Sequence, residues 1–190
     1  MNRRYWLMFR LLFIFCPIKR AKFMKAKGVF RKCGENVMII SRKIPLYSRL
    51  ISIGNNVIIA SNVGFATHDG IHFMLNNLFD KNEMCFEENV GCIEIGNNVF
   101  VGAGSKILYN VKIGNNVIVG ANTLINKDIP DNTVVAGVPS RILGSFEDFV
   151  EKRKKVCYVH KVDNKQQNVS YECENELWEN FYKIRKMGRD

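Results

Sequence analysis

The sequence predicts a mainly β protein, a three-sided parallel β-helix with an N-terminal helix and a C-terminal helical tail. Two observations lead to this prediction. Apolar residues recur every six positions through the middle of the chain, and the period stops at both ends, where basic or Glu/Lys/aromatic sequence begins. A period of six fits no amphipathic helix, whose apolar face returns every three or four residues. It fits a coil in which each of three flat sides uses one hexad.

The repeat is unbroken from Ile95 to Pro130, which makes six hexads. An aliphatic residue opens each hexad, a small residue usually follows it, and the fifth position is again apolar or small. The opening residues are Ile95, Val101, Ile107, Ile113, Val119 and Ile125. Three hexads complete one coil, so this stretch supplies two coils. Stacked coils bury one continuous aliphatic core, because each repeat contacts only its neighbours.

Earlier parts of the chain follow the same rule less regularly. Residues 53–64 form two further hexads, and the pairs Asn55-Asn56, Asn97-Asn98 and Asn115-Asn116 occupy equivalent turns. Asparagine suits such turns because it tolerates positive φ. Between residues 65 and 94 the period fails, and we interpret this stretch as a projecting loop, since a long excursion from a regular scaffold is usually functional.

The composition then divides the chain into three regions. Residues 1–30 form an N-terminal basic helical segment, and residues 31–144 form the β-helix domain with its projecting loop at 65–94. Residues 145–190 form a C-terminal helical tail, because their sequence is rich in Glu, Lys and aromatic residues and lacks the period of six. At 190 residues the chain is expected to hold one main core.

The net charge of +10 belongs to the N-terminal part of the chain. Thirteen basic residues and the single acid Glu35 lie between positions 1 and 49. The apolar run 5–16 is too short to span a bilayer, and Pro17 should end any helix there. This helix packs on the domain or a partner subunit, or it lies on an anionic inner membrane face. No nucleic-acid-binding module accompanies the charge, so no nucleic acid partner is expected.

Cysteine usage indicates a reducing compartment. The six cysteines form no CxxC pair and show no regular spacing, so neither a zinc knuckle nor a disulfide framework is supported. We therefore expect a cytoplasmic protein, either free or peripheral at the inner face of the membrane.

The hexads and the segment 137–141 (Gly-Val-Pro-Ser-Arg) resemble the hexapeptide-repeat (left-handed β-helix) acyltransferases, which include maltose, galactoside, serine and streptogramin acetyltransferases. The resemblance extends from about Gly34 to Leu143. Within the family, residues 66–70 (Ala-Thr-His-Asp-Gly) look most like the capsular and surface-polysaccharide O-acetyltransferases. The resemblance implies a left-handed coil, an exception to the usual crossover preference. It also implies acetyl-CoA as co-substrate and a homotrimer.

Transfer of an acetyl group from a thioester requires a base for the attacking hydroxyl. His68 lies where the hexads give way to the loop, which is where the resembled family carries its base, so His68 is the predicted base. Asp69 is the second catalytic candidate, because it would orient the imidazole or contact the acceptor, although a turn-forming role is an alternative. His72 is either a substrate contact or an ordinary loop residue, and His160 is expected to be a solvated tail residue.

The resemblance also implies a coenzyme groove between coils of adjacent subunits. The residues carried over by motif are Gly102, Ala103, Gly120, Ala121, Asn126, Lys127 and Arg141. The small residues would offer backbone groups to the pantetheine arm, and Lys127 and Arg141 would contact the phosphates. Asn126 stands where the family usually carries Thr. Small residues are also what coil packing demands, and solvated roles for the two cations are an alternative.

The predicted function is therefore acetyl-CoA-dependent O-acetylation of a sugar hydroxyl in surface-polysaccharide or glycoconjugate biosynthesis, by direct transfer without an acyl-cysteine. N-acetylation of an amino sugar, acetylation of an antibiotic or amino acid, and an inactive β-helix scaffold are the alternatives. A carbonic anhydrase of the same coil type would need three histidines around zinc. Only His68 and His72 lie near the coils, so no metal is expected.

Overall fold

The computed structural model describes residues 2–79, 84–156 and 169–187. The chain forms two compact units, Met1–Glu147 and Asp148–Asp190. The first unit contains α1 (Arg3–Leu12), α2 (Pro17–Ala26), a short 3₁₀ turn (Ser48–Leu50), α3 (Ile71–Leu78) and all the strands, and α4 (Phe146–Val156) begins at its end. The second unit contains α5 (Tyr171–Met187).

The strands are short, as flat sides made of single hexads require. They are β1 (Lys32–Cys33), β2 (Met38–Ile39), β3 (Ile51–Ile53), β4 (Val57–Ile59), β5 (Gly64–Ala66), β6 (Ile93–Ile95), β7 (Val99–Val101), β8 (Lys106–Leu108), β9 (Val111–Ile113), β10 (Val117–Val119), β11 (Leu124–Ile125), β12 (Thr133–Ala136) and β13 (Arg141–Ser145). Sheet A has the order β1-β3-β6-β9, sheet B the order β2-β4-β7-β10-β12-β13, and sheet C the order β5-β8-β11. All pairs are parallel except β12 with β13. From β1 to β12, consecutive strands fall in different sheets, which confirms the predicted three-sided coil.

The hexad positions form the core as predicted. None of the six opening residues exposes more than 2% of its surface. The fifth positions are buried as well, and two of them are polar, Ser105 and Thr123. Both hydroxyls donate to the carbonyl oxygen of Gly120, at 2.9 and 2.8 Å, so their burial leaves neither unsatisfied.

The asparagine turns adopt the conformation that the sequence predicts. The second residue of each pair is left-handed, with φ of 54° at Asn56, 55° at Asn98 and 54° at Asn116. Their side chains also form a ladder between coils, in which Asn56 Nδ2 donates to Asn98 Oδ1 at 2.9 Å and Asn98 Nδ2 donates to Asn116 Oδ1 at 2.8 Å. The turns therefore stabilise the stacking of the coils as well as the corners.

The N-terminal segment contains two helices where the sequence analysis expected one. Helix α1 already ends at Leu12, and Pro17 does not end a helix but is the first residue of α2, a position that proline favours because its missing N–H has no helical partner there. The residues Leu7, Leu11, Ala21 and Met24 are buried in the same core as the coil. Of the two predicted roles for α1, packing on the domain is therefore observed. Its opposite face stays exposed.

The excursion from the coil is shorter than the predicted loop and contains a helix. Residues 64–66 and 93–95 belong to coil strands, so the chain leaves the coil only between Thr67 and Cys92. The two ends of the excursion run antiparallel: His68 pairs with Val90, Asp69 N donates to Asn89 O at 3.0 Å, and Gly91 N donates to Thr67 O at 2.9 Å. This pairing fixes the backbone of His68.

The coil continues past the last of the six hexads. Residues 131–136 contain β12, which pairs in register with β10, and β13 then returns antiparallel along β12. Beyond it the chain becomes helical, as predicted for the tail. In α5, the ring of Trp178 stacks on Tyr182 and meets Phe181 edge-on. His160 and Cys157 lie outside the described residues.

Candidate active site

The strands of sheet C all end at one corner of the coil. β5 and β8 pair with Ala66 opposite Leu108, and β8 and β11 pair with Ile107 opposite Ile125. Residues that follow parallel strands in register lie close together at the same edge of the sheet. This corner therefore brings together the residues that follow the three strands: His68, Asp69, Tyr109, Asn126 and Lys127.

His68 lies against a tyrosine and a glutamate. The ring of Tyr47 meets the imidazole edge-on, with centroids 5.3 Å apart. Nε2 of His68 is 4.0 Å from Oε1 of Glu88, and the Tyr47 hydroxyl donates to Oε2 of Glu88 at 2.5 Å. About 30% of the His68 side chain is exposed. A partly exposed imidazole beside a fixed carboxylate is suited to accept a proton, because the carboxylate stabilises the imidazolium that forms.

The carboxylate of Asp69 contacts Ile71 and Tyr109. Its Oδ1 accepts from the Ile71 N–H at 3.1 Å and its Oδ2 accepts from the Tyr109 hydroxyl at 3.0 Å. The Ile71 amide is the main cause that holds the pKa of Asp69 below its ordinary value; desolvation opposes it, and hydrogen bonds from Tyr109 and Asn89 add to it. Asp69 therefore stays ionised at neutral pH, contacts the first turn of α3 and fixes Tyr109. The carboxylate that faces His68 is Glu88.

Two buried imidazole nitrogens at this corner have no partner within the described part of the chain. They are Nδ1 of His68 and Nδ1 of His72, which lies in the first turn of α3. Buried polar atoms are normally hydrogen-bonded, so both nitrogens are available to a group that binds at this corner. His72 also favours the ionised form of Asp69 electrostatically.

The small residues predicted for the coenzyme lie at the opposite edge of sheet C. The turns that precede its strands stack on one another: Gly104 N donates to Ser61 O at 2.9 Å and Asn122 N donates to Ala103 O at 2.8 Å. Ala103 and Ala121 are exposed in this row. Because extended chain spans at most about 3.5 Å per residue, Ala103 lies within about 20 Å of Tyr109.

The two predicted glycines serve the packing of the coils. A Cβ on Gly102 would lie 2.6 Å from the backbone nitrogen of Ala121, and one on Gly120 would lie 2.8 Å from Cβ of Ala136. Gly102 is buried and Gly120 is half-buried. Close stacking of neighbouring coils therefore requires both glycines, whereas a ligand on this edge would meet the alanines.

Asn126, Lys127 and Arg141 lie in exposed positions near the end of β11. The Leu124 N–H donates to Gly137 O at 3.0 Å, and the Ser140 N–H donates to Leu124 O at 2.9 Å. These bonds tie the segment before Arg141 to the strand before Lys127. The two cations predicted to contact phosphates thus extend from adjoining segments.

Sequence reasoning missed Tyr47, Glu88, Asn89 and Tyr109. One signal for Tyr109 was visible: the hexad that opens at Ile107 carries Leu108 and Tyr109 where four of the other five hexads carry Gly followed by Asn or Ala. No comparable signal marks Glu88, because only the antiparallel pairing at the base of the excursion brings it to His68.

Among residues 2–79, 84–156 and 169–187, no group of three or more His, Cys, Asp or Glu side chains is placed to hold a metal ion. No helix in these ranges is both long and apolar enough to cross a membrane.

Comparison with known proteins identifies the repeat. Residues 92–127 match the model of the bacterial transferase hexapeptide, six repeats. Protein CapG of Staphylococcus aureus is 46% identical over 103 residues, which are 54% of this chain and 57% of CapG. Galactoside O-acetyltransferase of Escherichia coli is 39% identical over 99 residues, which are 52% of this chain and 45% of that protein. The chain spans about half the length of these relatives.

A solved structure extends the likeness to the fold. The maltose O-acetyltransferase of Clostridium difficile superposes with a TM-score of 0.51 at 25% identity, covering 76% of this chain and 86% of that chain. The shared fold is the left-handed parallel β-helix. With its six hexads and three stacked sheets, the chain carries the hexapeptide repeat of bacterial transferases over residues 92–127 and is similar in fold to these acetyltransferases.

Proposed function

We propose that this protein is an acetyl-CoA-dependent O-acetyltransferase that uses His68 as general base and a sugar hydroxyl as acceptor. The observation that carries the proposal is the partly exposed imidazole of His68, which lies against the ring of Tyr47 and faces Glu88 at the corner where sheet C ends. The names of the two relatives support the reaction type, because both the galactoside and the maltose enzymes are O-acetyltransferases. Residues 66–70 favour an acceptor in surface-polysaccharide or glycoconjugate biosynthesis.

The proposed reaction is a direct transfer in a ternary complex. The acceptor oxygen attacks the thioester carbonyl while its proton moves to the His68 imidazole, and a C–O bond forms. The C–S bond then breaks, and the departing thiolate takes the proton from the imidazolium. Glu88 stabilises that imidazolium, and the hydroxyl of Tyr47 holds Glu88 in place. No cysteine takes part.

Acetyl-CoA is proposed to lie along sheet C. The exposed row at Ala103 and Ala121 admits close approach of the pantetheine arm, and Lys127 and Arg141 contact the phosphates as cations. The reacting thioester then lies toward the corner with His68. Asn126 neighbours this corner and is a candidate for a polar contact to the coenzyme.

A homotrimer is the proposed assembly, and sheet B supplies its contact surface. In register on the outward side of sheet B lie Met38, Ile58, Phe100, Ile118 and Val134, an apolar row. The corresponding row of sheet A is polar, with Lys32, Ser52, Glu94 and Lys112. Phe100 is 41% exposed. An apolar stripe on a flat sheet is better buried by a second copy than left in water.

Peripheral contact of α1 with an anionic membrane from the cytoplasmic side is also proposed. Leu7 and Leu11 face the core, while Tyr5 and Phe9 on α1 and Phe13 directly after it are each more than half exposed. The segment before Glu35 contains basic residues and no acid. Exposed aromatic rings among cations are typical of a helix that lies on a membrane surface.

The direct test of the proposed reaction is product analysis. Full-length protein is incubated with acetyl-CoA and either a neutral sugar or the corresponding amino sugar, and the products are identified by mass spectrometry and NMR. We expect an ester at a sugar hydroxyl. An amide on the amino sugar without any ester would contradict O-acetylation, and saturable coenzyme binding without any product would favour the inactive scaffold.

A further inference from the structure

A cavity adjoins the candidate active site on the side of helix α1. Its volume is about 650 Å³, within the range of small-molecule sites. Residues of α1, of the segment after α2 and of the 3₁₀ turn line it, and it shares Tyr47 and Val90 with the site. The Tyr47 ring touches His68, and Val90 pairs with the His68 backbone. An occupant of this cavity therefore ends beside the general base.

Three arginines line the cavity, Arg3, Arg4 and Arg49, and none of its lining residues is acidic. Each guanidinium is anchored by a neutral backbone carbonyl. Arg3 donates to Lys27 O at 2.7 Å, Arg4 to Ile44 O at 2.8 Å and Arg49 to Phe30 O at 2.8 Å. In the described part of the chain no carboxylate forms an ion pair with any of the three.

This arrangement concentrates positive charge without cancelling it. A guanidinium has five N–H donors, so one or two bonds to carbonyl oxygens leave several donors for a ligand. The anchoring bonds also hold the side chains in place, which lowers the entropic cost of binding. Planar guanidinium groups match the oxygens of a phosphate in pairs. A neutral sugar would offer no counter-charge to three such groups.

The rest of the wall is apolar and includes Leu7, Ile44, Leu50 and Val90. We propose that the acceptor is a sugar that carries a phosphate or diphosphate, with the phosphate held by Arg3, Arg4 and Arg49 while the sugar reaches past Tyr47 to His68. This inference rests on the proposed acetyl transfer. The phosphate belongs either to a soluble nucleotide or to a lipid carrier, and both share the chemistry that the arginines recognise.

The first test measures binding of inorganic pyrophosphate to the full-length protein by calorimetry. Coenzyme A contains a diphosphate of its own, so it is kept saturating throughout to occupy the Lys127 and Arg141 region. We expect pyrophosphate to bind, and Arg49→Gln to weaken binding at least tenfold. The matched control is Arg31→Gln, at an exposed arginine outside the cavity lining, which should leave the affinity unchanged.

Loss of an anchoring bond could also unfold the protein, so Arg49→Lys is measured beside Arg49→Gln, with the Tm of each. The lysine keeps the charge but not the paired donors, and an intermediate affinity is expected. Absence of pyrophosphate binding under saturating coenzyme, or an equal loss in Arg31→Gln, would overturn the inference.

The second test compares acceptors. We measure kcat/KM for acetylation of a neutral sugar, its 1-phosphate, its uridine diphosphate conjugate and its polyprenyl diphosphate conjugate in vesicles. At least one phosphorylated form should exceed the neutral sugar tenfold or more, and Arg49→Gln should remove that preference; the best acceptor then distinguishes the soluble from the lipid-linked source. Equal rates on neutral and phosphorylated sugars would contradict this inference without contradicting the proposed acetyl transfer.

Discussion

At the candidate site, two tyrosine hydroxyls each donate a hydrogen bond to a carboxylate, Tyr47 to Glu88 and Tyr109 to Asp69. In each pair the carboxylate is the main cause that raises the pKa of the phenol, so both tyrosines stay protonated and continue to donate at neutral pH. Tyr47 has φ of 49°, a left-handed conformation that costs a residue with a side chain roughly 1–3 kcal/mol. Such strain at a residue that touches His68 is consistent with a positioning role.

The role of Glu88 can be tested by Glu88→Gln. The amide keeps an acceptor for the Tyr47 hydroxyl but removes the charge that stabilises a protonated His68, so kcat should fall about tenfold or more while coenzyme affinity holds. Glu94→Gln is the control, because Glu94 is an exposed carboxylate on sheet A. Steady-state kinetics with both variants measures the effect. Wild-type kcat in Glu88→Gln would show that Glu88 does not serve the base.

At the level of secondary structure, the period of six determines which residues stack between coils. The glycine after an opening residue is required by close approach: a Cβ on Gly96 would lie 2.6 Å from the carbonyl oxygen of Gly114 in the next coil. That atom is backbone and cannot move aside without shifting the coil. A Cβ on Gly144 would meet nothing within 4 Å.

We therefore predict that Gly96→Ala lowers the free energy of unfolding by about 1–3 kcal/mol, as overpacking does. Gly144→Ala should be neutral or slightly stabilising, because the added methyl meets no atom and restricts the unfolded chain. Chemical denaturation of both variants gives the comparison. Equal stabilities would mean that the coils can separate to admit a methyl group.

Sequence periodicity predicts the coil because every hexad repeats the same positions for its buried residues and its turn residues. The buried openers and the left-handed asparagines were predictable residue by residue. The same reasoning could not find Glu88 or the helix α3, since both lie in the aperiodic excursion, where position depends on tertiary contacts. Nor could it find α2, because Pro17 suits the first turn of a helix as well as the end of one.

Helix α1 offers a test of membrane contact that keeps the fold intact. Deleting the segment would remove Leu7 and Leu11 from the core, so substitutions on its exposed face are a more specific test of membrane contact. The double variant Phe9→Ser/Phe13→Ser should reduce cosedimentation with vesicles that contain anionic lipid, without a change in Tm. In the wild type, binding should weaken as salt rises. Equal cosedimentation of variant and wild type would exclude this face as the contact.

At the scale of the whole molecule, assembly and coenzyme binding are expected to depend on each other. A charge in the middle of the apolar row of sheet B should separate the subunits, so Phe100→Lys is predicted to be a monomer by light scattering with much weaker acetyl-CoA binding. Phe149→Lys, at a comparably exposed aromatic residue on α4, is the control. A monomeric Phe100→Lys protein with full coenzyme affinity would contradict a groove between subunits.

The central claim is that His68 takes the proton of the acceptor, and its most direct test compares kcat with coenzyme affinity in His68→Ala. Loss of a general base typically costs about 10²–10⁴-fold in rate. Steady-state acetyl transfer should therefore collapse by that factor, while calorimetric acetyl-CoA binding stays at the wild-type value, because Lys127 and Arg141 are intact. A His68→Ala enzyme that retains more than about a tenth of the wild-type kcat would contradict the account.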